Sequence, residues 1–232
     1  MNDQFFHRKK ASKSGLERKE GRKPVKRRFL IGCEGSKTEC LYFERLIHEL
    51  GLTSVDIEIV NDCGSAPISI YNAVVERVKE EAGSEAHFDE AFCVFDHDTH
   101  ESFDEVCNNI KNKTNNSKRK DANNCEIQAI TSTPCFEIWL MLHFNYSTKP
   151  IEAKGRKSCG KVAKTRMREI SGFEKYEGAL TSKQLDLLMD KIDQAIKNAE
   201  KLNLYNSSNN SSNPSTGVYI LVKKMKKLSN NK

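Results

Sequence analysis

Two short apolar runs, Arg28 to Cys33 and Glu90 to Phe95, and a strand-like stretch between them, Val55 to Val60, alternate with two segments of helical period, and each stops at a polar turn. Runs this short suit buried strands and fall below the length of a stable helix. Between the first run and that stretch, Leu41, Phe43, Leu46, Ile47 and Leu50 make one broad helical face. Ser36-Lys37-Thr38-Glu39 before them has the capping-box form, and Gly51 stops the helix. Asn61 to Ala66 reads as a glycine-containing loop, and Pro67 to Ala82 as a helix with Pro in its permitted first turn. Strand, helix, strand, helix, strand with short connections predicts a parallel sheet joined by right-handed crossovers. In such a sheet the carboxyl ends of the strands form the functional rim, and Glu34 and Asp96 each fall just past the end of an apolar run.

Further along, a polar helix is expected over Phe103 to Lys111, then a surface loop over 112–124, where five Asn replace apolar residues. Glu126 to Thr131 adds a strand. Pro134 to Phe144 reads as a helix with Phe136, Leu140 and Phe144 on one stripe, Glu137 in its first turn and Trp139 in the core. Lys154, Arg156 and Lys157 form a basic, glycine-flanked loop that Lys161, Lys164, Arg166 and Arg168 extend into a short basic helix. Gln184 to Leu202 is expected as one amphipathic helix, 206–215 as a Ser/Asn linker or active-site loop, and Thr216 as the cap of a last helix through Leu228. The fold class is therefore α/β, a mostly parallel sheet flanked by helices with a helical C-terminal appendage. A basic tail covers 1–26 and one domain covers 27–228, with its α/β core at 28–133 and its helical part at 134–228.

Charge bears on partners. The 232 residues carry a formal +6, yet residues 1–28 hold a net +8 and residues 218–232 five Lys with no acid, which leaves residues 29–217 at −7. Basic ends around an acidic middle can hold a phosphate backbone near an acidic centre; a basic end can equally be a solubilising extension. Eight cysteines without a single CxxC pair argue against a structural zinc site, and those within apolar runs read as small buried hydrophobes. No apolar stretch is long enough to span a membrane and no secretory leader is present, so a cytoplasmic location is expected. No GxxxxGK[ST] phosphate loop occurs, so any ATP hydrolysis belongs to a partner. Oligomeric state is not legible.

Asp96 and Asp98 at i and i+2 repel unless geometry separates them, a proton neutralises one, or a cation lies between them. Such a pair also occurs in caps and surface loops. With Glu34 from an adjacent strand end, hard oxygen donors of this kind suit Mg²⁺ or Mn²⁺, ions that polarise a phosphodiester. Lys37 sits where a helix start can meet a phosphate, or is a solvated first-turn lysine. His97 can touch metal or phosphate, or point away from the acids. His143 is either a hydrogen-bonded core histidine or a general acid.

Four blocks in order, Cys33-Glu34-Gly35-Ser36-Lys37-Thr38-Glu39, Phe95-Asp96-His97-Asp98, Pro134-Cys135-Phe136-Glu137-Ile138-Trp139-Leu140-Met141-Leu142-His143-Phe144 and Asn213-Pro214-Ser215-Thr216, resemble the RloB family from about Arg27 to Leu228. The resemblance implies a compact relative of the Toprim nucleases, in which Glu34, Asp96 and Asp98 bind Mg²⁺ or Mn²⁺. Glu137 would be a fourth ligand or proton-transfer group, and Lys37, Arg156 and Lys157 are the residues expected to meet substrate. It also implies a role in anti-phage, abortive-infection loci, a separately encoded ATPase as partner, and RNA, tRNA included, in preference to DNA. A DNA nuclease of the same system and a noncatalytic nucleic-acid-binding or regulatory subunit of the ATPase are the alternatives.

Overall fold

The computed structural model describes residues 27–34, 37–53, 55–60, 66–84, 86–97, 101–115 and 125–229. Its strands are β1 (Arg27–Cys33), β2 (Val55–Val60), β3 (Glu90–Asp96), β4 (Glu126–Thr133) and β5 (Ser215–Thr216). They form one sheet in the order β2-β1-β3-β4-β5, parallel except for the antiparallel edge made by β5. Of the inner strands, β1 and β3 are buried along nearly their whole length, which is why their sequences read as continuous apolar runs and do not alternate.

Helix α1 (Glu39–Glu49) carries the chain outward from β1 to β2, and α2 (Pro67–Glu80) brings it back past β1 to β3. Right-handed crossovers in opposite directions put those two helices on opposite faces. Phe29, Ile31 and Cys33 accordingly pack with α1, while Leu30, Ala91 and Cys93 pack with α2 and α3 (Ser102–Asn115). The α2 face is very close at Gly32, where a Cβ would come within 2.4 Å of Val74 Cγ2.

The remaining helices are α4 (Glu137–Leu142), α5 (Cys159–Met167), α6 (Ser182–Met189), α7 (Ile192–Asn209) and α8 (Val218–Ser229). They contribute to the core on the α1 face, where Leu185, Ala199, Leu221 and Met225 join Phe29 and Phe92 in one apolar cluster. Buried Glu90 ties α8 to the sheet by pairing with Lys224 and with Arg27, the latter at 2.7 Å. This sheet with its flanking helices and C-terminal helical extension is consistent with the Toprim-like α/β reading. Among the described residues no helix is long and apolar enough to cross a membrane.

Several local expectations need correction. Gln184 to Leu202 is two helices, because Thr181 and Gln184 form a complete capping box for α6, which ends at Asp190, and Lys191 has a non-helical backbone before α7 begins. The supposed linker at 206–215 is helical to Asn209, and Asn210 in the left-handed region ends α7. Pro134 to Phe144 is helical only over Glu137–Leu142, with Phe136 as its N-cap and His143 as its C-cap. The helix of α3 reaches Asn115 and so takes the first part of the expected loop at 112–124, of which 116–124 lie outside the described residues. Thr38 is the N-cap of α1 and makes no side-chain capping bond, its hydroxyl donating instead to the Gly178 carbonyl at 2.7 Å, while Ser36 of the expected capping box lies outside the described residues. The basic tail at 1–26 lies outside the described residues.

Candidate active site

At the sheet's topological switch point, β1 and β3 lie side by side while their connections leave in opposite directions, which opens a crevice at their carboxyl ends. Cys33 pairs in register with Val94, so half-buried Glu34 and half-buried Asp96 leave neighbouring strands at the same rim. Asp96 is itself the last residue of β3, paired with Ser132, and Ser132 Oγ meets Thr216 Oγ1 at 2.9 Å on β5. The rim thus continues from two acids into two hydroxyls. Asp98 and the Gly35-Ser36 pair lie outside the described residues.

Two further acids reach this crevice. Glu137, buried in the first turn of α4, accepts a hydrogen bond from Tyr176 Oη at 3.2 Å. Glu39, in the first turn of α1, feels both Glu137 and Glu34: its carboxyl is pushed up to about 8, mainly by burial and then by those two charges, against a lowering hydrogen bond from its own backbone. The buried Cys135 thiol is held well above its ordinary range by burial first, then by the charges of Glu137 and Asp96. Glu34, Glu39, Asp96 and Glu137 therefore share one electrostatic neighbourhood. The neighbourhood is one that like charges oppose and a divalent cation relieves.

The oxygen chemistry of these carboxylates fits Mg²⁺ or Mn²⁺. Among the described residues, no three His, Cys, Asp or Glu side chains stand together as a ready-made ligand set. Asp98, one of the three expected ligands, is not among them.

Other expected residues separate clearly. His97 is exposed, with its ring stacked on Phe103 at 3.9 Å between centroids and Nδ1 3.4 Å from Thr133 Oγ1. His143 is fully buried: Nδ1 donates to the Trp139 carbonyl at 2.9 Å, so Nε2 accepts from Tyr42 Oη at 3.2 Å. Of the two readings of His143, this geometry selects the core histidine. Trp139 is buried against Tyr42 and His143. Lys37 is exposed, three residues after Glu34 and one before Thr38.

Arg156 and Lys157 are exposed on a tight turn closed by two backbone bonds between Lys154 and Lys157, with Gly155 at a positive φ of 60° that favours glycine. α5 follows immediately, and its Lys164 reaches the Glu177 carbonyl while Arg168 binds the Tyr176 carbonyl at 2.8 Å. Since Tyr176 holds Glu137, this cation-rich segment is anchored beside the acidic crevice. Residues 149–169 carry a net +6.

Sequence reasoning missed Glu39, Tyr176 and Cys135. Glu39 has a signal, an acid starting the helix that directly follows the Glu34 turn, but that position equally suits a capping acid. Tyr176 has none, because only the path of the chain after α5 brings it to Glu137. The Asn213-Pro214-Ser215-Thr216 block acquires a structural role: the Asn213 amide exchanges two hydrogen bonds with the Ile151 backbone, and Thr216 completes the rim.

The family described as RloB-like protein matches residues 29–225, which is most of the chain, and the chain belongs to that family. No curated protein and no solved structure matches it significantly. Family membership together with the α/β fold supports a general nuclease-like role.

Proposed function

We propose that this RloB-like protein is a divalent-metal-dependent nuclease that hydrolyses phosphodiester bonds in RNA, tRNA included, as part of anti-phage defence. The observation that carries this reading is the gathering of carboxylates at the switch point of a parallel sheet, beside an anchored cation-rich segment. Glu34, Asp96 and Asp98 would hold Mg²⁺ or Mn²⁺, and the bound ion would supply charge stabilisation at the phosphoryl group. Glu137, fixed by Tyr176, adds an oxygen facing the same neighbourhood. Lys37, Arg156 and Lys157 bind the flanking phosphates. Their exposure leaves the ammonium and guanidinium groups free to meet a strand that the acids alone would repel.

One feature favours a hydrolase over a noncatalytic binding subunit. A binding surface needs cations and gains nothing from burying Glu137 beside Glu39, an arrangement that costs stability unless a cation or a proton offsets it. RNA is preferred to DNA on family grounds, and a separately encoded ATPase remains the proposed partner.

The test is cleavage of tRNA, structured RNA and DNA in Mg²⁺ or Mn²⁺, with and without the ATPase, for the wild type and for Asp96→Asn and Glu34→Gln. Both substitutions nearly preserve side-chain size, so native circular dichroism with turnover reduced ~100-fold or more is expected. Near-wild-type turnover by both variants would overturn the assigned metal site.

A further inference from the structure

A cavity of about 430 Å³ lies between α4, α5 and the segment leading into β5, within the size range of small-molecule and cofactor sites. Two of its walls adjoin the acidic rim along the chain. Ile138 follows Glu137 on α4, and Pro214 precedes Ser215, which pairs with Thr133 at the end of β4. The proposed hydrolysis makes no use of this space.

The lining is mixed in a specific way. Ile138, Met141, Ile170 and Pro214 supply apolar surface, whereas Asn145 and Glu169 add an amide and a carboxylate. Lys149 and Arg166 bring positive charge. The walls are braced as well. Arg166 donates to the carbonyls of Lys149 at 3.1 Å and Pro150 at 2.7 Å, and Asn213 clamps Ile151 through both of its amide atoms. The cavity is therefore set by hydrogen-bonded segments.

We propose that this cavity is the subsite for one unpaired nucleobase of the strand whose phosphate lies at the acidic rim. The inference rests on the nuclease reading above. A nucleobase presents two apolar faces, an edge of donors and acceptors, and an attached anion, so it calls for apolar walls, a few polar groups and nearby cations. All three are present. A free phosphate would face Glu169 and make no use of Met141, Ile170 or Pro214, while an aliphatic ligand would leave Asn145 and Glu169 without a role. A base stacked in a duplex cannot enter, so the site selects a single-stranded or looped strand, whose bases can be splayed outward.

The experiment uses the full chain carrying Asp96→Asn, so that binding is read without cleavage, and a fluorescently labelled single-stranded RNA in which each base in turn is replaced by an abasic residue. One abasic position is expected to weaken binding ~10-fold or more, the loss for one well-seated base. Adding Asn145→Trp, an exposed position on the cavity lining, should fill the space and make intact RNA bind as weakly as that abasic RNA, with no further loss on base removal. Glu169→Gln, which fills nothing, should change the preference among bases at the sensitive position. Equal binding across all abasic positions, no effect of Asn145→Trp, or no RNA binding at all would overturn the assignment. Cleavage is measured in parallel with Asp96 intact. Base-insensitive binding with metal-dependent cleavage retained would remove the base subsite and leave the nuclease reading standing; base-dependent binding without cleavage under any metal would do the reverse.

Discussion

His143 offers a direct test of how the aromatic core beneath the crevice is built. Burial is the main cause that lowers its imidazole from an ordinary 6.5 to about 4, against hydrogen bonds to the carbonyls of Trp139 and Leu140 that favour the charged ring. Protonation at Nε2 would set a donor against Tyr42 Oη, whose own proton is held by burial above the ordinary phenol range. The folded protein therefore binds this proton less readily than the unfolded chain. The stability contribution is fully present above 6.5 and is lost as pH falls toward about 4. Between about pH 7.5 and about pH 5 one such group costs ~2 kcal/mol. Glu39 acts with the opposite sign: its raised carboxyl stabilises below its ordinary 4.5 and loses that contribution as pH rises through about 8. Total stability against pH consequently mixes the two, and a difference measurement is required. Urea unfolding of wild type and His143→Gln at both pH values keeps the Glu39 contribution common to both proteins. The wild type should lose ~2 kcal/mol more than the variant on acidification. Equal pH dependence of the two proteins, or ring-nitrogen shifts showing a charged His143 at neutral pH, would refute the reasoning.

Other consequences follow from individual contacts. Gly32→Ala should destabilise by about 1–3 kcal/mol in denaturant unfolding, because the new Cβ would come within 2.4 Å of Val74 Cγ2 in the buried interface with α2. Lys224→Met should cost about 2 kcal/mol, read from the thermal midpoint, because buried Glu90 would keep only Arg27 as an ion-pair partner among the described residues. Arg156→Ala with Lys157→Ala should weaken RNA binding at low salt and reduce the slope of log affinity against log salt by about 1.5 units if both cations meet phosphates of a single strand. Deleting residues 1–26, whose surroundings carry a net +8 over residues 1–28, should act in the same direction on affinity while native circular dichroism is retained. An unchanged salt slope would return that segment to a solubilising role.

Much of the fold was legible because local rules agreed with the global ones. The runs at β1 and β3 read as buried strands and the stretch at β2 as a strand, and short connections containing one helix each make them parallel. Positions within two residues followed from Pro67 opening α2 and Gly51 ending the α1 segment. The break between α6 and α7 was harder to read, because Leu188, Ile192, Ala195 and Ala199 keep a helical period across it. The capping box of α6 and the non-helical Lys191 decide against continuity. β5 was invisible for another reason: two residues carry no period, and Ser215-Thr216 becomes a strand only because β4 offers an open edge.

The candidate site divides along the same line. Sequence by itself determined that Glu34 and Asp96 would end strands and share a rim, since that depends on strand direction and the handedness of the crossovers. It also determined that the cations at 154–168 would lie on the surface, because nothing in that stretch can offset the burial of so much charge. Tertiary structure alone decided that Glu39 and Glu137 feel one another, that Tyr176 reaches Glu137 from 39 residues along the chain, and that His143 is locked into the core between Trp139 and Tyr42. Those outcomes turn on burial and on contacts between distant segments. Neither quantity is carried by residue spacing, because a carboxyl or an imidazole takes its proton affinity from the groups that surround it after folding.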